Sequence, residues 1–368
     1  MTPQFHRLRV SSVRPLTPDS LTVAFEVPDD LRKEFMFLPG QHVNLRVWID
    51  GFEYRRSYSI HRAPYEEIVE VAIKRVQGGV VSNWVFENLK EGDGIDVMTP
   101  EGEFYIDTST LKGSILVVAA GSGITPVISM IKQLLKANSK TSVTLLYGNQ
   151  DMQNIMFSEE IFDLKNQYLS RFIFVPTFSK QMSEVDLFNG RIDKVKISKL
   201  QKLVGSLKNM DVAFVCGPFD MIENVTDALI SFGLDEASIR FERFGTPRAE
   251  LSRPVESQQT IQVEGAVIKV TLDGREHIFT FDENSGSILD AGIALGLDLP
   301  FSCKSGVCST CKAVRLVGEV SMANNYALTK LDLQKGLILT CQSLPATRTV
   351  AISYDVRQHL LRPEDGTS

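Results

Sequence analysis

Residues 114–126 read SILVVAAGSGITP, a short apolar run that breaks at a Gly-Ser-Gly turn. Next comes VISMIKQLLKA (127–137), whose apolar positions return at helical spacing. A buried strand that turns on glycine into a helix is the opening unit of a parallel α/β sheet. The alternation continues downstream. SVTLLYG (142–148) reads as a strand, IMFSEEIFDLKNQ (155–167) as a helix and RFIFVPTF (171–178) as a strand. DVAFVCGP (211–218) then leads into a helix, FDMIENVTDALISFG (219–233), and SIRFERF (238–244) supplies a late strand. An open α/β domain is expected over residues 105–246.

Upstream, residues 1–104 lack the helix after each strand that a parallel α/β unit requires. The runs FHRLRVSSV, LTVAFEV, HVNLRVWI, RRSYSI and IVEVAIKRV are rich in β-branched and aromatic residues, with turn signals at Pro39-Gly40, Asp50-Gly51 and Glu91–Gly94. This density predicts an antiparallel barrel or sandwich. Downstream, residues 247–260 lack either period and read as a linker. Residues 261–355 open with a hairpin around Asp273-Gly274, continue through a short helix at SILDAGIALG and read as a compact α+β domain; a polar tail, 356–368, follows. Lys194, Lys196, Lys199 and Lys202 read as a solvated face.

The chain has 368 residues, 43% hydrophobic and 23% charged, enough for several cores and unlike a disordered composition. Its formal charge of −6 argues against a nucleic-acid surface. With neither an export segment nor a transmembrane run, a cytoplasmic protein is expected.

Four of the five cysteines lie in the last domain: Cys303, Cys308 and Cys311 in CKSGVCSTC, and Cys341 after 29 further residues. The spacing C-x4-C-x2-C…C is the plant-type pattern in which four thiolates hold a [2Fe-2S] cluster. A zinc clamp with the same ligands is the alternative. Cys216 stands apart in VCGPFDMI, where Cys216, Gly217 and Pro218 end a strand and shape a pocket.

In RSYS, Arg56 suits a pyrophosphate, Tyr58 an isoalloxazine ring and Ser59 a flavin hydrogen bond. Gly78, Gly79, Val80, Val81 and Ser82 then form a glycine-rich segment at an expected helix start at Ser82, where backbone N–H groups can receive a phosphate. Gly121, Ser122, Gly123, Ile124, Thr125 and Pro126 form a phosphate-facing turn between a strand and a helix. Glu242 and Phe244 are candidates to organise polar contacts and to cover a ring face beside the flavin. The candidate catalytic set is Tyr58, Ser59, Cys216 and Glu242.

Arg56–Ser59 followed by Gly79–Ser82 resembles the FAD barrel of ferredoxin-NADP reductase-like flavoproteins, and GSGITP with CGP resembles their nicotinamide domain. CKSGVCSTCKA and LTCQ (339–342) are similar to plant-type ferredoxin domains, which commonly have a β-grasp fold. The resemblance implies a multidomain α+β and α/β protein: an antiparallel FAD-binding barrel, an open α/β nicotinamide domain and a C-terminal β-grasp ferredoxin domain. FMN is the minor alternative to FAD. Related NADP-using chains commonly carry arginine after YGN, where this chain has Gln150 and Asp151; Lys180 or Arg191 could meet a 2′-phosphate instead, so NADH and NADPH both stay open.

Taken together, RSYSI, YGN, IMFSEE, CGP, ERF, CKSGVCSTCKA, NYAL and LTCQ resemble the reductase-component family of multicomponent phenylacetyl-CoA epoxidases. That resemblance implies electron transfer from NAD(P)H through FAD and [2Fe-2S] to a di-iron oxygenase complex. Reductases of Rieske oxygenases or other monooxygenases share the domain order, and an iron-sulfur redox-sensing module is the non-enzyme alternative.

Overall fold

The structure, a computed structural model, describes residues 4–107, 111–244, 263 and 265–355. The expected linker, 247–260, and tail, 356–368, lie outside the described residues. The chain divides into two compact units, one of residues 5–247 and one of residues 1–4 with 248–368.

The first unit opens with β1 (Phe5–Thr17), β2 (Ser20–Glu26), β3 (His42–Ile49), β4 (Phe52–Ser59), β5 (Val69–Lys74), helix α1 (Val80–Asn88) and β6 (Gly94–Met98). The strands pair antiparallel in the order β4-β3-β6-β1-β2-β5. The β3–β4 hairpin turns at Asp50 and Gly51, both with positive φ as a two-residue hairpin requires. An antiparallel bridge between Ile60 and Val71 joins the two edges, so the sheet curls into a barrel. Alternate residues such as Val43, Leu45 and Val47 point inward, and Val81 and Val85 of α1 join the same core.

The α/β part holds β7 (Ser114–Ala120), α2 (Ile124–Ala137), β8 (Ser142–Asn149), α3 (Ser158–Gln167), β9 (Phe172–Phe178), α4 (Lys194–Val204), β10 (Val212–Gly217), α5 (Phe219–Ser231) and β11 (Ile239–Arg243). All pairs are parallel, in the order β11-β10-β7-β8-β9. Both faces are covered: Ile128 and Ile131 of α2 pack on one, Ile197 of α4 and Val225 of α5 on the other. Near-continuous apolar strands such as ILVVA are what a sheet buried on both faces demands.

The second unit contains β12 (Val267–Leu272), β13 (Arg275–Thr280), α6 (Ile288–Ala294), β14 (Lys312–Val317), β15 (Val320–Met322), α7 (Lys330–Gln334), β16 (Leu337–Leu339), β17 (Ser343–Pro345) and β18 (Thr349–Ser353). Its main sheet runs β13-β12-β18-β14-β16, with β15 and β17 forming a separate ribbon. Only β12–β18 is parallel; the remaining pairs are antiparallel. Ile288 and Leu289 of α6 pack into the same core as Ile268, Val270 and Ile352.

Several sequence expectations move. Helix α1 starts at Val80 rather than Ser82, because Gly79 takes the cap position. Helix α3 starts only at Ser158: Phe157 adopts a left-handed conformation, while Ile155, Met156 and Phe157 are buried in the core. The lysine cluster lies on α4, and Lys196 is buried, donating from Nζ to the carbonyls of Leu187 and Asn189. A long lysine stem covers apolar surface while its ammonium caps carbonyls at a turn, which composition does not reveal.

Candidate functional site

In the α/β sheet the chain builds outward from β7 to β8 and β9, then crosses back to β10 and β11 on the other side. The carboxyl ends of β7 and β10 therefore flank the topological switch point, where α/β sheets open a ligand crevice. Gly121, Ser122 and Gly123 form a single 3-10 turn at the end of β7, and α2 follows directly. Cys216 and Gly217 end β10, with Pro218 capping α5. Gly123 lets the two loops meet: a Cβ there would stand 2.2 Å from the carbonyl oxygen of Cys216. Thr125 is buried and donates its hydroxyl to the Ser122 carbonyl at 3.0 Å, which holds the turn closed. Pro126 sits in the first turn of α2, where its missing N–H costs no helical bond.

Glu242 pairs in register with Cys216 across β10 and β11. Its Oε2 is buried with no hydrogen-bond partner among the described residues, and burial pushes the carboxyl pKa up to about 7, with the charge of His42 opposing. Burial, then the Glu242 charge, push the Cys216 thiol up, so the sulfur stays neutral. Phe244 donates its N–H to the carbonyl of Gly217 at 3.2 Å, and its ring packs against the core of the sheet.

The barrel contributes the opposite wall. His42, at the start of β3, pairs with Ser59 at the end of β4, and its ring lies 3.5 Å from Glu101. Ser59 is buried, and Tyr58 packs against the barrel core. Burial raises the Tyr58 hydroxyl well above the usual range, with Arg56 opposing. Arg56 donates to the carbonyl of Arg55 at 2.7 Å and has no carboxylate partner among the described residues. Gly78 has positive φ, and Gly79 caps α1 without a side-chain hydrogen bond to the first turn, leaving the N–H groups of Val80, Val81 and Ser82 available to an anion. The Ser82 hydroxyl turns back to accept from Val76 N–H at 3.1 Å, so its outward donor is the backbone. An uncapped helix start, an unpaired guanidinium and a tyrosine ring on one barrel fit a group carrying both a pyrophosphate and an aromatic ring.

Sequence reasoning missed three parts. His42 is one, since a histidine in an alternating strand carries no motif. Tyr147 is another: fully buried, it donates its hydroxyl to the Gly121 carbonyl at 2.9 Å and braces the glycine turn. The third clamps barrel to sheet. Lys132 of α2 reaches Glu66 and Glu160 at 3.0 Å each, and Ser129 donates to the Arg62 carbonyl. Beyond the end of β8, Lys180 N–H donates to the Gln150 carbonyl, placing that lysine beside Gln150, while Asp151 caps a 3-10 turn and Arg191 is exposed.

In the second unit, the thiols associate two and two, Cys303 with Cys308 and Cys311 with Cys341. A two-iron cluster takes two thiolates per iron, whereas one zinc needs all four at a point. Backbone N–H groups of Ser305 and Cys308 donate to Cys303 Sγ at 3.4 Å, and Cys303 N–H donates to Cys308 Sγ at 3.4 Å. The hydrogen bond from Cys308 foremost, with those from Ser305 and Val307, holds Cys303 down to about 4. Lys304, Gly306 and Ser309 all have positive φ, which turns the loop's amides inward toward the sulfurs. This N–H cradle fits a negatively charged iron-sulfur cluster.

The chain matches three family models: an oxidoreductase FAD-binding domain over residues 7–106, an oxidoreductase NAD-binding domain over 117–227 and a 2Fe-2S iron-sulfur cluster binding domain over 270–346. It is 38% identical to a component of the 1,2-phenylacetyl-CoA epoxidase of Escherichia coli (strain K12), across 96% of this chain and 98% of that protein. It is 32% identical to the ferredoxin reductase component of 3-ketosteroid-9-alpha-monooxygenase from Rhodococcus rhodochrous, across 94% and 96%. Phthalate dioxygenase reductase shares the fold, with a TM-score of 0.58 at 22% identity over 95% of this chain and 98% of that one. Among the described residues no helix is long and apolar enough to cross a membrane. Three modules in this order make an NAD(P)H-dependent oxidoreductase that passes electrons through FAD and a [2Fe-2S] cluster toward an oxygenase partner. The chain belongs to the ferredoxin-NADP reductase-like flavoproteins with a plant-type [2Fe-2S] domain, the family that includes this component of the phenylacetyl-CoA epoxidase.

Proposed function

We propose that this chain is the reductase of a phenylacetyl-CoA epoxidase, taking a hydride from NADH or NADPH and delivering single electrons to a di-iron oxygenase complex in the cytoplasm. The observation that carries the reading is the 38% identity to the Escherichia coli epoxidase component over nearly the full length of both chains. Bound FAD converts a two-electron hydride into single electrons, and the cluster carries them one at a time.

In this reading residues 1–104 hold FAD, 105–246 the nicotinamide and 261–355 the cluster. Arg56 and the N–H groups of Gly79–Ser82 neutralise the pyrophosphate, Tyr58 covers the flavin ring, and Ser59 hydrogen-bonds it. Gly121–Pro126 and Cys216–Pro218 orient the nicotinamide from the two strands at the switch point, and Phe244 covers a ring face. Glu242 supplies a titrating group beside the reacting rings. Cys303, Cys308, Cys311 and Cys341 ligate the cluster.

The test is reconstitution. The purified reductase, combined with the oxygenase components of a phenylacetyl-CoA epoxidase, should support NAD(P)H-coupled epoxide formation. Turnover only with a 3-ketosteroid monooxygenase component would favour the second reading, which the 32% identity to that system's reductase supports.

A further inference from the structure

Most donors to the cysteine sulfurs are backbone N–H groups, fixed by the loop. Gln342 adds a side-chain amide. Its Nε2 lies 3.6 Å from Cys341 Sγ, 2.9 Å from the Cys341 carbonyl and 2.9 Å from the Lys304 carbonyl. Its Oε1 accepts from Asn324 Nδ2 at 3.2 Å, and Asn324 Oδ1 in turn accepts from the Tyr326 hydroxyl at 3.3 Å. Tyr326 N–H donates to the Gly306 carbonyl at 3.1 Å. Gly306, at φ +77°, has no space for a side chain: a Cβ would stand 3.0 Å from the Asn324 carbonyl and 3.2 Å from Gln342 Cγ. One carboxamide thus joins the loop of the first two cysteines, the segment 324–326 and the fourth cysteine, with both its ends occupied and its rotamer fixed.

We propose that Gln342 is a potential-setting residue: its amide, held by Asn324 and the Lys304 carbonyl, donates to the Cys341 thiolate and raises the reduction potential of the cluster. Reduction adds negative charge to the cluster, and a hydrogen bond to a ligating sulfur stabilises that charge. The proposal rests on ligation by Cys341.

Redox titration of the full-length holoprotein, followed by the electron spin resonance of the reduced cluster, tests it. In Gln342→Leu, which keeps the bulk and removes the donor, the reduced-to-oxidised ratio at a fixed applied potential should fall about tenfold, which is about 59 mV for a one-electron couple. Iron, sulfide and the rate of flavin reduction by NAD(P)H should be unchanged. A fully loaded variant with an unchanged potential overturns the proposal. Should the variant load poorly, the native protein decides: pulsed spin resonance of reduced protein carrying 15N-labelled glutamine side chains should show a 15N coupling to the cluster, and its absence overturns the proposal. Cys341→Ser tests the ligation separately, since an unaltered cluster spectrum there refutes the ligand set and not the amide.

Discussion

Cys216 and Glu242 face each other in the register of β10 and β11, and His42 of the barrel influences the same carboxyl group, whose pKa burial pushes up to about 7. With Glu242 beside the nicotinamide, as proposed, an ionised carboxylate would stabilise the positive charge that hydride loss leaves on the ring, and a protonated one would not. Flavin reduction by NAD(P)H should therefore accelerate as the pH rises through about 7. In Glu242→Gln the step should vanish, leaving the rate at the low-pH plateau, about tenfold below the native high-pH rate. A stopped-flow pH series reads this directly, and a step that survives in the variant assigns the titration to another group.

Glu70 is fully buried, with Arg62 at 2.5 Å, Arg14 at 2.8 Å and His61 at 3.4 Å. Burial alone would raise its carboxyl, but the adjacent His61 ring and the Arg14 and Arg62 guanidiniums hold it well below its ordinary 4.5. A carboxylate with a depressed folded pKa contributes stability that is present above the unfolded value and is lost as the pH falls through the folded one. Unfolding measured by denaturant should show native stability declining below about pH 4.5. Glu70→Gln should flatten that decline and cost about 3 kcal/mol at neutral pH, because two arginines lose their buried partner. An unchanged acid limb would remove Glu70 from this role.

Gly123→Ala forces a Cβ against the Cys216 carbonyl, which has no flexible end to yield. The two loops at the switch point must separate, at a cost of about 1–3 kcal/mol. Nicotinamide-dependent flavin reduction should fall by at least about tenfold, while reduction of the same flavin by dithionite stays normal. Crystals of the variant with unmoved loops would contradict the close-approach argument.

Legibility in the sequence followed period and spacing. The strand runs from FHRLRVSSV to SIRFERF were readable because apolar alternation and apolar blocks report burial directly, and the C-x4-C-x2-C…C spacing marked four thiolate ligands, with zinc as the alternative to [2Fe-2S]. The boundary at Phe157 was not, because a single left-handed residue overrides the helical pattern of IMFSEE and buries three side chains that the helix would have carried. The roles of His42, Tyr147 and Lys132 depend on partners 59, 26 and 28 positions away, a separation that no local pattern encodes. The same holds for Gln342, whose neighbours across the cysteine loop are set only by the fold.

Anaerobic stopped-flow absorption of the native protein and of Cys308→Ser, mixed with NADH or NADPH, tests the electron route most directly. The native protein should lose flavin absorbance first and cluster absorbance second. Cys308→Ser should keep the first phase at its native rate while losing the cluster and the transfer of electrons to the oxygenase. Cluster reduction at the native rate in protein stripped of FAD, or normal oxygenase turnover with Cys308→Ser, would contradict it.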